Sequence, residues 1–224
     1  MSRSKLFFTV LGRLLGGILF FMLIFFLPAG TWGYWQGWMY IAVLTIPMFF
    51  VIAYFMRNDP DLLKRRMHMR EERSEQRKII RSSYIIFLLA YLLPGFDIRY
   101  GWSNMPAGVS VAAAVVMFLC YLLVFRTMQV NSFLSRVIEV AENQKVVDTD
   151  VYGIVRHPMY VGMVILYVVS PLVLGSWWAF IPALAVIPLI AARILDEEKA
   201  LEQDLPGYVE YKGRVKYRLI PFVW

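Results

Sequence analysis

The chain reads as an all-α, polytopic integral membrane protein, and three observations carry that reading. First, 59% of its 224 residues are hydrophobic and 17% charged, with a mean hydropathy of +0.58, a balance far from that of a soluble domain. Second, charges are absent from Leu14 to Met56, Tyr84 to Phe96, Met105 to Phe125 and Pro158 to Ala192; about twenty apolar residues at helical rise cross a bilayer, so the first and last blocks each hold two helices. Third, those two long blocks each break at a turn signal flanked by tryptophans, the amphipathic rings that settle at a membrane interface. The count is about six transmembrane helices, the last two forming a hairpin.

The first span is placed at Leu6–Pro28, because Pro28-Ala29-Gly30 and Gly33 end it beside Trp32, Trp35 and Trp38. Arg13, about two turns in, is long enough to snorkel to the headgroups. The second span is Tyr34–Met56, the third Ile80–Asp97 and the fourth Pro106–Val130, so residues 1–130 form a scaffold. The connector Asn131–Asp150 is polar with a helical pattern at Phe133, Leu134, Val137 and Val140. The hairpin is Pro158–Gly175 followed by Ser176–Ile194, turning at Gly175-Ser176 beside Trp177 and Trp178; with the connector and tail it makes residues 131–224 the functional core.

Lys and Arg collect at the N-terminus, in RNDPDLLKRRMHMREERSEQRKIIR after the second span, around Arg136, and in the tail from Lys199. An even number of spans puts all four on one side, which the positive-inside rule makes cytoplasmic. The expected location is the plasma (inner) membrane, or the endoplasmic reticulum in a eukaryote. The first span is too long, and too closely followed by a second, for a cleaved signal peptide. A net charge of +7 in juxtamembrane clusters fits anionic lipid headgroups better than nucleic acid. Cys120 is alone and mid-span, which excludes a disulfide framework and a cysteine metal site. Met67-His68-Met69 is read as part of a solvated charged helix, so no metal is expected.

Chemistry concentrates in VRHPMYVG, Val155 to Gly162. Pro158 suits the first position of a helix, where its missing N–H has no partner to lose, and His157 then caps that helix with Arg156 just before it. Free backbone N–H groups, the helix dipole and two cationic side chains together attract an anion. Tyr160 follows in the first turn, and Gly162 leaves one flank bare for a flat ligand or another backbone. A second reading stands beside this one: Arg and His at the headgroups of a helix entering the membrane, with a small-residue helix contact at Gly162. The sixth span leaves the membrane as RILDEEKAL, so Arg193 and Glu197 share a helix face with Asp196 and Glu198 alongside. The hairpin returns this cluster to the rim that carries Arg156 and His157.

VYGIVRHPMYVG, then RILDEEKAL, then LPGYVEYKGRVKYRLIPFVW, together resemble the isoprenylcysteine carboxyl methyltransferase family and its relatives among phospholipid N-methyltransferases, over Asn131 to Trp224. The resemblance implies a membrane methyltransferase that binds S-adenosyl-L-methionine between the hairpin and the tail and methylates a lipophilic acceptor arriving from the bilayer. It implies that His157, Tyr160, Gly162, Glu197 and Glu198 bind the cofactor and that Arg156 and Arg193 face the reacting end. The chemistry agrees: the cofactor's carboxylate wants cationic donors and its ammonium wants carboxylates. Two motif arginines tilt the acceptor towards a carboxylate of the prenylcysteine kind; an amine acceptor would call for a base such as Glu197 or His157. The tail, with Tyr208, Tyr211 and Val215 at helical spacing, is a lid over the cofactor or an amphipathic helix on the membrane.

Two rival classes remain on the same residues. A membrane reductase would carry a nicotinamide dinucleotide, but there is no glycine-rich phosphate loop and Asp196-Glu197-Glu198 would repel a diphosphate. A transporter would place its ionisable groups near the midplane, whereas these sit at the rim.

Overall fold

The structure is a computed structural model that describes residues 3–67, 74–137, 140–141 and 143–224; of residues 74–80 and 82 the backbone alone is described. Its elements are α1 (Arg3–Ala29), α2 (Trp35–Asn58), α3 (Pro60–Met67), α4 (Ser74–Tyr100), α5 (Ala107–Val130), a 3₁₀ turn (Asp150–Gly153), α6 (Pro158–Val173), α7 (Trp177–Ala183), α8 (Val186–Asp204) and α9 (Tyr208–Arg214). Among the described residues every regular element is helical. Among the described residues four helical stretches are long and apolar enough to cross a membrane: α1, α2, α5 and the α7–α8 stretch, Trp177–Asp204. The expected third span is realised as α4, packed on α1 and α7, and the fifth as α6, apolar but only 16 residues long.

Each turn has a local cause. Gly30 (φ 67°) ends α1 and Gly175 (φ 79°) ends α6, both in the left-handed region that glycine enters without strain. Ser176 then caps α7 by accepting from the Ala179 N–H. The last span departs from expectation, since it is not one rod. In a continuous helix Pro188 would have to donate an N–H to the Leu184 carbonyl; it has none, and its ring would clash with that oxygen. The chain breaks at Leu184–Ala185 and restarts with Pro188 in the first turn of α8, where no N–H is needed.

Two glycines set how closely the helices meet. A Cβ on Gly95 would lie 2.7 Å from the Phe25 carbonyl and 2.9 Å from Pro28 Cβ, so α4 sits backbone to backbone on α1. A Cβ on Gly162 would lie 2.6 Å from Val124 Cγ2, which makes this glycine the seat of the α5–α6 contact. The main core joins Phe25, Phe26, Tyr40, Tyr91, Met117 and Leu174. At the far end from the motifs, buried Asp97 accepts from the Ser103 N–H and Oγ at 2.6 Å and from Ser176 Oγ at 2.5 Å, tying α4, its loop and α7 together. Arg13 Nη1 donates to the Met67 carbonyl at 3.1 Å, so it caps α3. Among the described residues the 131–150 connector is irregular before its 3₁₀ turn, its apolar positions being used for contact: Val140 and Val146 pack on the tail.

Candidate active site

The start of α6 is built as its sequence dictates. His157 occupies the cap position and Pro158 the first turn. What orients this corner is the tail, which returns across it: the Arg156 N–H donates to the Tyr217 carbonyl at 2.9 Å and the His157 N–H to the Arg218 carbonyl at 3.0 Å. Side chains reinforce the strap. Arg156 donates through Nη1 to the carbonyls of Val215 (2.7 Å) and Lys216 (2.8 Å), and through Nε to Glu198 Oε1 at 2.7 Å. Glu198 also meets His157 Nε2 at 3.3 Å and accepts from Arg218 Nε at 2.9 Å. Arg156, His157 and Glu198 are each at most 5% exposed, so one carboxylate is held in the dry wall by three cationic or proton-bearing partners.

One turn earlier on α8 the arrangement differs. Arg193 and Glu197 are bridged by Tyr160, whose hydroxyl donates to Glu197 Oε2 at 2.5 Å and accepts from Arg193 Nε at 2.9 Å. Arg193 Nη2 also donates to the Arg136 carbonyl at 2.7 Å, pinning the connector to α8. The relay therefore links α6, α8 and the connector.

These groups border one cavity of about 830 Å³. Arg156, His157, Tyr160, Arg193 and Glu197 all line it, together with Arg66 from α3, Arg136 and Tyr152. The tail contributes Leu205, Tyr208 and Tyr211 to its wall, and Tyr84, Phe87 and Leu88 of α4 with Val186, Leu189 and Ile190 of α8 give it an apolar stretch. Tyr211 anchors the tail by donating to the Tyr152 carbonyl at 2.8 Å. Among the described residues the Tyr208 hydroxyl is buried with no hydrogen-bond partner, and Tyr208 lines the cavity. Burial pushes this phenol and that of Tyr152 well above the ordinary tyrosine range, so both are neutral donors at physiological pH.

The shared cavity unites five of the seven residues expected from the sequence, and two lie apart from it. Glu198 stands behind the wall, holding Arg156, His157 and Arg218 in place. Gly162 faces Cys120 and Val124 of α5, so its missing side chain serves helix packing and presents nothing to the chamber. Arg156, expected at the reacting end, touches the cavity but commits Nε and Nη1 to Glu198 and the tail. His68 and Met69 lie outside the described residues; among those residues no group of three or more His, Cys, Asp or Glu is placed to hold a metal.

Residues 111–203 match the model of the isoprenylcysteine carboxyl methyltransferase (ICMT) family. The matched segment runs from α5 through most of α8 and takes in the RHPMYVG corner, the Tyr160 relay and both glutamates. It starts upstream of the connector and stops before the tail, so Arg66, Tyr208 and the 215–218 strap lie outside it. Among solved structures, the chain is similar to the eukaryotic intramembrane Ras methyltransferase ICMT (isoprenylcysteine carboxyl methyltransferase), determined without a monobody: 16% identity, TM-score 0.47, covering 100% of this chain and 88% of that one. No curated protein matches the chain.

Three contributors to the chamber were not singled out from the sequence. Arg66 was one of many basic residues in a charged run, Tyr152 an aromatic at the head of VYGIVRHPMYVG to which no role was given, and the α4 aromatics belonged to a span read as scaffold. The contacts that recruit them join residues far apart in the chain, so no local pattern marks them.

Proposed function

We propose that this protein is an integral-membrane, S-adenosyl-L-methionine-dependent methyltransferase that acts on a lipophilic acceptor carrying a carboxylate, of the prenylcysteine kind. The observation that carries the proposal is one cavity whose wall joins polar, tyrosine-rich groups near the tail to apolar side chains of α4 and α8. A soluble zwitterionic cofactor and a membrane-borne acceptor need such a two-ended space.

The residues present fit the cofactor. The unpartnered Tyr208 hydroxyl is a buried donor with nothing to bind within the protein, a cost of about 1–3 kcal/mol that a ligand acceptor atom would remove. Tyr208, Tyr211, Leu205 and Val146 offer aromatic and apolar walls for a purine, and Glu197 faces the same space as a partner for an ammonium. Bound there, the cofactor supplies an electrophilic methyl group on a sulfonium. The chain's own contribution is placement. Glu198 and Arg156 lock the tail over the chamber and exclude water, while the Arg193–Tyr160–Glu197 relay holds the Glu197 carboxylate in one orientation. Holding two reactants in line is worth on the order of 7–11 kcal/mol, and no covalent intermediate with the protein is needed.

The test is direct. Purified protein in nanodiscs should bind S-adenosyl-L-methionine and its demethylated product but not NADPH. With methyl-labelled cofactor and a lipid extract it should yield a labelled, base-labile ester. A base-stable product would assign an amine acceptor instead, and no cofactor binding would reject the enzyme reading.

A further inference from the structure

The arginines of the two motifs spend donors on the protein itself: Arg156 on Glu198 and the tail carbonyls, Arg193 on Tyr160 and the Arg136 carbonyl. Two other arginines on the cavity wall do not. Arg66, near the end of α3, and Arg136, in the connector, both line the chamber, and among the described residues neither guanidinium has a carboxylate within ion-pair distance. They lie close enough to repel. Burial and the neighbouring Arg136 charge lower Arg66 to about 10, which leaves it charged at neutral pH but in an unfavourable setting.

The wider balance has the same sign. Among the described residues Arg66, Arg136 and Lys145 border the cavity with Glu197, which Tyr160 bridges to Arg193, while Arg156 is matched by Glu198. An anion between two guanidiniums converts their repulsion into attraction. Arg66 also lies near Tyr152 and Tyr160, on the wall of the same cavity that apolar residues of α4 and α8 line. An anionic headgroup placed there leaves its chain in apolar surroundings.

We propose that Arg66 and Arg136 form an anion-recognition subsite that grips the negatively charged headgroup of the lipophilic acceptor, with the acceptor's chain lying between α4 and α8. Naming the ligand as the methyl acceptor rests on the methyltransferase reading; the subsite itself does not. Arg66, in the α2–α4 connection, lies outside the family-matched stretch, whereas Arg136, in the connector before α6, lies within it.

The full chain in phosphatidylcholine nanodiscs is titrated with dodecyl phosphate, uncharged dodecanol and inorganic phosphate, against empty nanodiscs as blank. Dodecyl phosphate should bind about ten-fold or more tighter than either dodecanol or inorganic phosphate, the scale expected for charge-assisted hydrogen bonds. R66Q and R136Q should each remove most of that preference and leave dodecanol and S-adenosyl-L-methionine binding unchanged, while R66K keeps part of it. Should a variant fail to fold, the wild-type preference and its decline with rising salt decide the question. Equal binding of dodecyl phosphate and dodecanol, or folded variants with the preference intact, overturns the subsite. Inorganic phosphate binding as tightly as dodecyl phosphate overturns its role for an amphiphile. A protein with the preference but no affinity for S-adenosyl-L-methionine keeps the subsite and rejects the methyltransferase reading.

Discussion

Replacing Arg156 by Met removes a charge while keeping most of the side chain's volume, and so isolates what the buried ion pair does for the tail. Glu198, 2% exposed, loses its partner at 2.7 Å, and the carbonyls of Val215 and Lys216 lose their donor. Breaking a buried pair costs about 3–5 kcal/mol. Arg218 and His157 still contact Glu198, which places the expected loss at the lower end, about 3 kcal/mol. That corresponds to roughly a hundred-fold more frequent opening of the strap. The amides of Arg156 and His157 bond to the strap, and those of Arg218 and Leu219 to the Trp224 carbonyl, so hydrogen exchange of these four reports its opening. In Arg156→Met their protection should fall by that factor while the amides of α1 and α5 are unchanged, and trypsin should cut at Lys216 and Arg218. Unchanged protection in a folded variant would refute the view that this arginine acts as a strut for the lid.

Other substitutions probe the remaining links. Tyr208→Phe deletes a buried hydroxyl that has no partner, so the ligand-free protein should melt higher, by the equivalent of about 1 kcal/mol, while S-adenosyl-L-methionine binds about three- to ten-fold more weakly; a lower melting temperature with unaltered affinity contradicts the assignment. Tyr160→Phe breaks the Arg193–Tyr160–Glu197 relay and should slow methyl transfer by about ten-fold or more with the fold intact, as judged by circular dichroism and turnover. Gly95→Ala meets backbone at 2.7 Å and should lose more stability than Gly162→Ala, which meets a valine methyl that can rotate; both fall in or above the range of about 1–3 kcal/mol for overpacking, and thermal melts in one detergent rank them.

Much of the architecture could be read from the chain alone because helices in a membrane are specified locally. An apolar run of sufficient length must satisfy its own backbone, which makes it a helix wherever its neighbours lie. Gly30, Gly175 and Pro158 mark boundaries through their own backbone preferences, and the structure turns or starts helices at or beside all three. Pro188 carried an equally local signal for the break in the last span. It is masked by the apolar composition around it and decided by one missing N–H.

The candidate site divides along the same line. RHPMYVG and RILDEEKAL announced a polar rim through residue types that a membrane helix end rarely gathers by chance. The assignment of partners was beyond them. Arg193 and Glu197 share a helix face and still meet through a tyrosine from α6, and Glu198 points into the wall while its neighbour faces the chamber.

What the amino-acid sequence by itself determined is the membrane class, most of the helices and the stretch where charge collects, since length, hydropathy and backbone preference act over one to seven neighbouring turns of chain. What only the tertiary structure decided is which charges neutralise one another and which remain facing the cavity. A guanidinium spent on a buried glutamate and one left open to a ligand look alike in sequence, and their difference arises from contacts between residues more than forty positions apart.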